Sequence, residues 1–321
     1  MKREFHLTVT HEYEKSRLDR FVKKNIEQFS RNQIQKWIEK GSILVQGKNS
    51  SPSAKVRAGD RVEVLIPEEE ISVLPEEIPL EILYEDKSIL AIHKPAGMVS
   101  HPASGNFSGT LANAVAHHLS QISKRETLLE GMRLGLVHRL DKETSGVILI
   151  AKTRPAMESL LKQFEQRSVL KVYRAIVRGR MIPDRGEIEG SIGKQFGSGR
   201  MGVVPTGRFA RTEFKVLKRF PSNTYLEIFP KTGRTHQIRV HLSRIGHSIL
   251  GDKIYTQKTV PSPSSLRRPG DQESEENGLC KRQMLHAYQI TVTHPVTKKK
   301  MTFTAPLPED FLQTLKKLVQ S

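Results

Sequence analysis

Apolar residues recur along the chain at two spacings, and the change from one to the other divides it. From Ser16 to Phe29, Leu18, Phe21, Val22, Ile26 and Phe29 share one face of a 3.6-residue helix. Ser30 is a natural N-cap for a second helix carrying Ile34, Trp37 and Ile38, and Gly41 is its stop. Strands are expected at Ile43–Val45 and Arg61–Ile66, with turns at Gly47–Asn49 and Ala58–Asp60. Beyond Leu80, strands and helices alternate. Leu83–Ile92 reads as a strand, a turn and a buried strand, followed by a sharp turn at His93–Met98. Further strands fall at Val147–Ala151, Leu170–Val177, Thr212–Leu217 and Tyr225–Phe229. Helices are expected over Thr110–Leu119, His236–Ile245 and Phe311–Val319. Another begins at Arg154 with Pro155 in its first turn and Met157, Leu160, Leu161 and Phe164 facing inward. Together these predict an α+β protein with a mixed sheet, preceded by a small α+β module.

Charge sharpens the division. At 321 residues the chain has length for about two domains. Its formal net charge of +18 calls for a polyanionic partner. Residues 1–66 carry 14 basic and 8 acidic side chains, and residues 67–86 carry 8 acidic and no basic ones. The proline-punctuated acidic stretch, centred on residues 71–80, therefore reads as a linker between two basic domains, 1–70 and 81–321. Thr256–Arg282, rich in Ser, Pro and Glu, reads as a polar insertion in the second. No stretch approaches the ~20 apolar residues of a membrane span, and Met1–Phe5 is not followed by a signal-peptide apolar run. Cys280 is the only cysteine, which excludes an intrachain disulfide and a cysteine-based zinc site and fits a reducing cytoplasm.

The most informative segment is Gly135-Leu136-Val137-His138-Arg139-Leu140-Asp141-Lys142-Glu143-Thr144-Ser145-Gly146. It sets Asp141 two residues after Arg139, immediately before an apolar strand. In an extended segment, side chains two apart point the same way, so both can address one site.

Four ordered blocks carry a resemblance. They are His93-Lys94-Pro95-Ala96-Gly97 with His101-Pro102, His138-Arg139-Leu140-Asp141 through Gly146, Lys171-Val172-Tyr173-Arg174-Ala175, and Lys231 through Leu242. Gly251-Asp252 and Leu285-His286-Ala287 extend it. The chain resembles the RluA family of pseudouridine synthases over nearly its whole length. Ser100, Ala103 and Ser248 are departures that touch no catalytic position. Residues 1–70, through Arg17-Leu18-Asp19, Ser30-Arg31 and Gly47-Lys48, resemble the ribosomal-S-four-type RNA-binding domain.

The resemblance implies a mainly antiparallel catalytic sheet and conversion of uridine to pseudouridine in RNA, with large-subunit ribosomal RNA or a pre-ribosomal particle as partner. It makes Asp141 the catalytic carboxylate and Arg239 its salt-bridge partner. Arg139 takes the place of the extruded base, and Tyr173 stacks on the uracil. His138, Ile238 and Leu285 are expected to line the substrate pocket. Arg17, Arg20, Arg31 and Lys36 in the first domain, with Lys231 and Arg234 in the second, are expected to bind RNA. The chemistry is an isomerisation, so no cofactor is needed, and no metal is expected. His117-His118 and His236/His241 are the only metal-like pairs, without cysteine or a spaced carboxylate. A monomer is expected. Whether Asp141 attacks the anomeric carbon or takes a ribose proton stays open. Two alternatives were weighed: a non-catalytic RNA-binding or ribosome-assembly protein on the same fold, and a glycosidase. The latter wants two flanking carboxylates, for which Glu143 is the only near candidate.

Overall fold

A computed structural model describes residues 3–26, 29, 31–66, 73–101, 108–122, 133–256 and 280–320. The chain divides into two compact units, residues 1–74 with 129–134, and residues 75–128 with 135–321.

In the first unit, Leu18, Phe21 and Val22 of α1 (Leu18–Asn25) join Ile34, Trp37 and Ile38 of α2 (Arg31–Glu39) in one buried cluster. The cluster is closed by Ile43, Val62 and Val64 from an antiparallel sheet in the order β1-β4-β2-β3. Its strands are β1 (Arg3–Thr8), β2 (Ile43–Val45), β3 (Lys48–Asn49) and β4 (Arg61–Ile66). The first helix is shorter than its apolar spacing suggests: the Asn25 side chain bonds back to the Phe21 carbonyl, and Ile26 leaves helical backbone. Strand β1 was not anticipated, and Lys48–Asn49, read as a turn, pairs with β2. The expected cap Ser30 lies outside the described residues.

Asp19 is fully buried between the two helices and accepts from Arg17, Arg31 and Gln35. Burial alone would push its carboxyl up; the bonds from Arg17, Gln35 and Arg31 outweigh that and hold it well below the usual carboxylate range. Arg31, assigned to RNA from sequence, thus also ties α2 to α1 together with Gln35, while Arg17 holds the same carboxylate from the start of α1.

The second unit is built on one ten-stranded sheet. Its strands are β5 (Glu81–Glu85), β6 (Ile89–Lys94), β7 (Ser145–Ala151), β8 (Leu170–Arg178), β9 (Arg185–Lys194), β10 (Met201–Val203), β11 (Arg208–Arg219), β12 (Asn223–Pro230), β13 (Leu285–Thr293) and β14 (Lys300–Thr304). The order is β10-β9-β11-β12-β8-β13-β7-β6-β5, with β14 beside β13. Every pairing is antiparallel except β13 with β7. The expected mixed, mainly antiparallel α+β architecture is therefore present. Every residue of β6 and β7 is buried, which explains their near-continuous apolar sequence.

Four helices flank the sheet: α3 (Leu111–Ile122), α4 (Arg154–Glu165), α5 (Gln237–Arg244) and α6 (Glu309–Gln320). Thr153 caps α4 and Met157 and Leu160 face inward, but Leu161, expected inside, is exposed. The parallel junction needs Gly146: its φ is +122°, and a Cβ there would overlap the Ala287 carbonyl. Residues 257–279 of the expected insertion lie outside the described residues, whereas Arg282, assigned to its end, is buried in the core.

Trp37 is the only tryptophan in the chain and is buried against Phe29, so its fluorescence reports on the first unit. A depressed carboxyl contributes its stability above the unfolded pKa of about 3.9 and loses it as pH falls towards the folded value. Stability against denaturation, followed at Trp37, should therefore fall steeply below about pH 4. Asp19→Asn should cost about 2–4 kcal/mol at pH 7 and flatten that acid limb. An equal acid slope in both proteins would remove Asp19 from this role.

Candidate active site

The loop from Lys231 into α5 turns on one side chain. Gln237 is buried; its amide donates to the Arg211 carbonyl and the Thr212 hydroxyl, and its Oε1 accepts from the Thr232 hydroxyl and the Arg234 amide. With all its polar atoms engaged, it fixes the first turn of α5. His236, just before, adopts a left-handed backbone (φ 56°, ψ 20°) that is uncommon outside glycine.

Fixing this turn aims Arg239. Its Nε and Nη2 donate to the two oxygens of Asp252 at 2.7 and 3.0 Å, and its Nη1 donates to Asp141 Oδ2 at 2.9 Å. The guanidinium lies 5.0 Å from the centre of the Tyr255 ring. Asp252 is fully buried and also accepts from the amides of Ile254 and Tyr255. Burial would raise its carboxyl, but Arg239 and those amides hold it below the ordinary value. Asp252 is thus an ionised anchor, and Asp141, with a fifth of its side chain exposed, is the carboxylate that faces outward.

The loop carrying Asp141 is held at almost every residue. Ser100 Oγ donates to the Leu140 carbonyl, and Lys94 Nζ to the carbonyls of Pro95, Met98 and Lys142. Arg282 Nη1 donates to the Glu143 carbonyl, and Gln283 to the Thr144 hydroxyl. Arg282 is itself fixed by Asp310 of α6 at 2.6 and 2.9 Å. Burial pushes the Lys94 ammonium down to about 7, against the pull of Glu143 and Asp141.

Of the residues singled out from sequence, Asp141 and Arg239 meet directly. Arg139 is exposed, forms no ion pair or hydrogen bond among the described residues, and acts electrostatically on His236 in opposition to Asp141. Tyr173 packs on the apolar cluster containing Ile238, Leu242 and Leu285. Burial, then the charge of Asp141, raises its phenol, which stays protonated. Ile238 and Leu285 are buried in that cluster, against which Tyr173 packs.

His138 is engaged elsewhere. It stacks on Phe164 and its Nε2 accepts the Leu149 amide, while burial and then Lys171 lower its pKa to about 3. Lys231 pairs with Glu213. Arg234 donates to the Phe209 carbonyl, and burial followed by repulsion from Arg208 and Arg167 lowers its pKa. These three arginines form a cationic cluster beside the loop. Arg20 and Lys36 of the first unit are exposed. Sequence reasoning missed Asp252 as anchor, together with Tyr255, Lys94 and Arg282. Asp252 was the most accessible of these, because a buried arginine bound to one carboxylate implies a second acceptor.

A family model for RNA pseudouridylate synthase matches residues 88–244, and an S4 domain model matches residues 16–62. Ribosomal large subunit pseudouridine synthase D of Neisseria meningitidis is 39% identical over 313 residues, 96% of this chain and 80% of that protein. The namesake from Pseudomonas aeruginosa is 39% identical over 307 residues, 95% and 92% of the two chains. The solved structure of human RNA pseudouridylate synthase domain containing 4 superposes with a TM-score of 0.59 at 26% identity, covering 74% of this chain and 93% of that one. The chain belongs to the RluA-type RNA pseudouridine synthases. It is therefore an isomerase whose substrate is RNA.

Lys94→Met keeps the volume but strands three carbonyls. It should destabilise the protein by about 2–4 kcal/mol and lower turnover at least tenfold at temperatures where it stays folded. Unchanged turnover in a folded variant would show that the Asp141 loop does not need this tie.

Proposed function

We propose that the chain converts uridines of large-subunit ribosomal RNA to pseudouridine with Asp141 as the catalytic carboxylate. The observation that carries this reading is the Arg239 bridge. One guanidinium joins a fully buried, ionised Asp252 to a partly exposed Asp141, so Asp141 is aimed and reachable. Cleavage of the N-glycosidic bond needs a group at the sugar that adds to the anomeric carbon or takes a ribose proton; an aimed carboxylate does either. The freed uracil turns and rejoins through C5. A uridine in folded RNA must first leave its stack. Arg139, exposed and without an ion pair among the described residues, is suited to fill the gap, and the neutral, rigidly backed Tyr173 ring to stack on the uracil.

The ribosomal target is supported by the named relatives and the net charge of +18. On this reading residues 1–70 dock the RNA through the exposed Arg20 and Lys36, with Arg17 and Arg31 contributing from their part-exposed positions beside Asp19. Residues 71–80 form an acidic linker and 81–321 the catalytic domain, where Arg167, Arg208 and Arg234 take backbone phosphates. We assign the protein to the cytoplasm as a monomer. No described helix is long and apolar enough to cross a membrane.

Asp141→Asn should reduce tritium release from [5-³H]uridine-labelled ribosomal RNA about a thousandfold or more while RNA affinity stays within a few fold. Full release would sink the assignment. If the wild-type protein bound that RNA without ever forming pseudouridine, the ribosome-assembly alternative would stand instead. Arg20→Glu with Lys36→Glu should weaken RNA binding and lower the salt slope by about 2, since each neutralised phosphate contributes about one. An unaltered slope would remove this face from the docking surface.

A further inference from the structure

Five side chains form a closed circuit around the exposed carboxylate, and two of them have no part in the account above. Asp141 is held by Arg239, Arg239 by Asp252, and Asp252 by the backbone amide of Tyr255. The Tyr255 hydroxyl lies 2.7 Å from His236 Nδ1, and His236 Nε2 lies 3.8 Å from Asp141 Oδ1. Arg239 serves Oδ2, so His236 is aimed at the other oxygen.

We propose that His236, oriented by Tyr255, is a positioning residue for Asp141, supplying the second hold on its carboxylate during the reaction. This rests on the reading of Asp141 as the catalytic group. Three observations support it. First, His236 occupies left-handed backbone at the N-cap of α5, and its side chain makes no cap bond. Such conformations are strained in a non-glycine residue and gather at functional sites. The strain here sends the imidazole towards Asp141 instead of to the helix end.

Second, the ring is not free to turn away. Tyr255 meets it edge-on, with centroids 5.5 Å apart, and grips Nδ1, while Tyr255 itself is seated on the Arg239 guanidinium. Third, the imidazole is neutral near pH 7. Burial lowers its pKa, and Arg239 and Arg139 act in the same direction against Asp141 and Asp252. A neutral ring with the tyrosine hydroxyl donating to Nδ1 presents Nε2–H to Asp141. It orients the carboxylate without adding a second full charge that would quench its reactivity. The 3.8 Å separation is longer than a formed bond of about 2.9 Å. Holds of this kind commonly tighten only once substrate is bound.

The test separates the ring from the backbone. His236→Asn keeps a residue that tolerates left-handed backbone but is too short to reach Asp141. In the full chain, with ribosomal RNA as substrate, kcat should fall about 10- to 100-fold with KM within twofold and the melting temperature nearly unchanged. Tyr255→Phe should lower kcat about three- to tenfold in the same pattern. His236→Gln, which carries an N–H donor further out, should recover part of the loss. Wild-type kcat in His236→Asn would overturn the proposal, as would a loss confined to KM or stability. Asp141→Asn is measured alongside. If it is inactive while His236→Asn is normal, only this inference fails; if Asp141→Asn is itself active, the reading beneath it fails.

Discussion

One guanidinium organises the catalytic unit. Arg239 places three of its donors on two carboxylates of different standing, one sealed in the interior and one partly exposed. An isolated buried arginine would be prohibitively costly. Asp252 meets that cost and frees one face of the cation to hold Asp141. A lysine, with a single compact charge, has no geometry for this division. The choice of residue therefore follows from the need to be bidentate on one side and directional on the other.

Around that bridge the scaffold limits motion by polar ties rather than by apolar packing alone. The Asp141 loop is irregular backbone, so its carbonyls lack a ladder and must find donors elsewhere. Lys94, Ser100 and Arg282 supply them from three separate segments. Close approach by these segments requires small residues: Gly146 where β7 meets β13, and Gly251, where a Cβ would overlap the Arg282 carbonyl. The rigid sheet thus extends its order into the loop that carries Asp141.

Much of this was legible in the sequence, for physical reasons. The apolar runs of β6, β7 and β8 and the stripes of α1, α2 and α4 read directly, because burial dictates period. Asp141, Arg239 and Tyr173 were found through motif resemblance, and the structure brings Asp141 and Arg239 together. What could not be read depends on pairing at long range. Strands β9 and β10 are interrupted by glycine and β14 is short and largely polar, and all three gain their shape from neighbours. Leu161 sits one residue off the buried face of α4. His138 and Asp141 are three residues apart in one motif, yet one faces the interior beside Phe164 and the other the cleft. Arg282 belongs by composition to a polar insertion, but its partners Glu143 and Asp310 bring it into the core.

Those long-range ties have a bearing on biosynthesis. The bond from Arg239 to Asp141 spans 98 residues of chain, and that from Arg282 to Glu143 spans 139. The carboxylate that fixes Arg282 is Asp310, near the C-terminal end of the described chain. A nascent chain emerging from the exit tunnel holds Asp141 long before it holds its fixing partners. The loop around Asp141 therefore acquires its full set of ties late, after Arg282 and the α6 carboxylate that fixes it have been made.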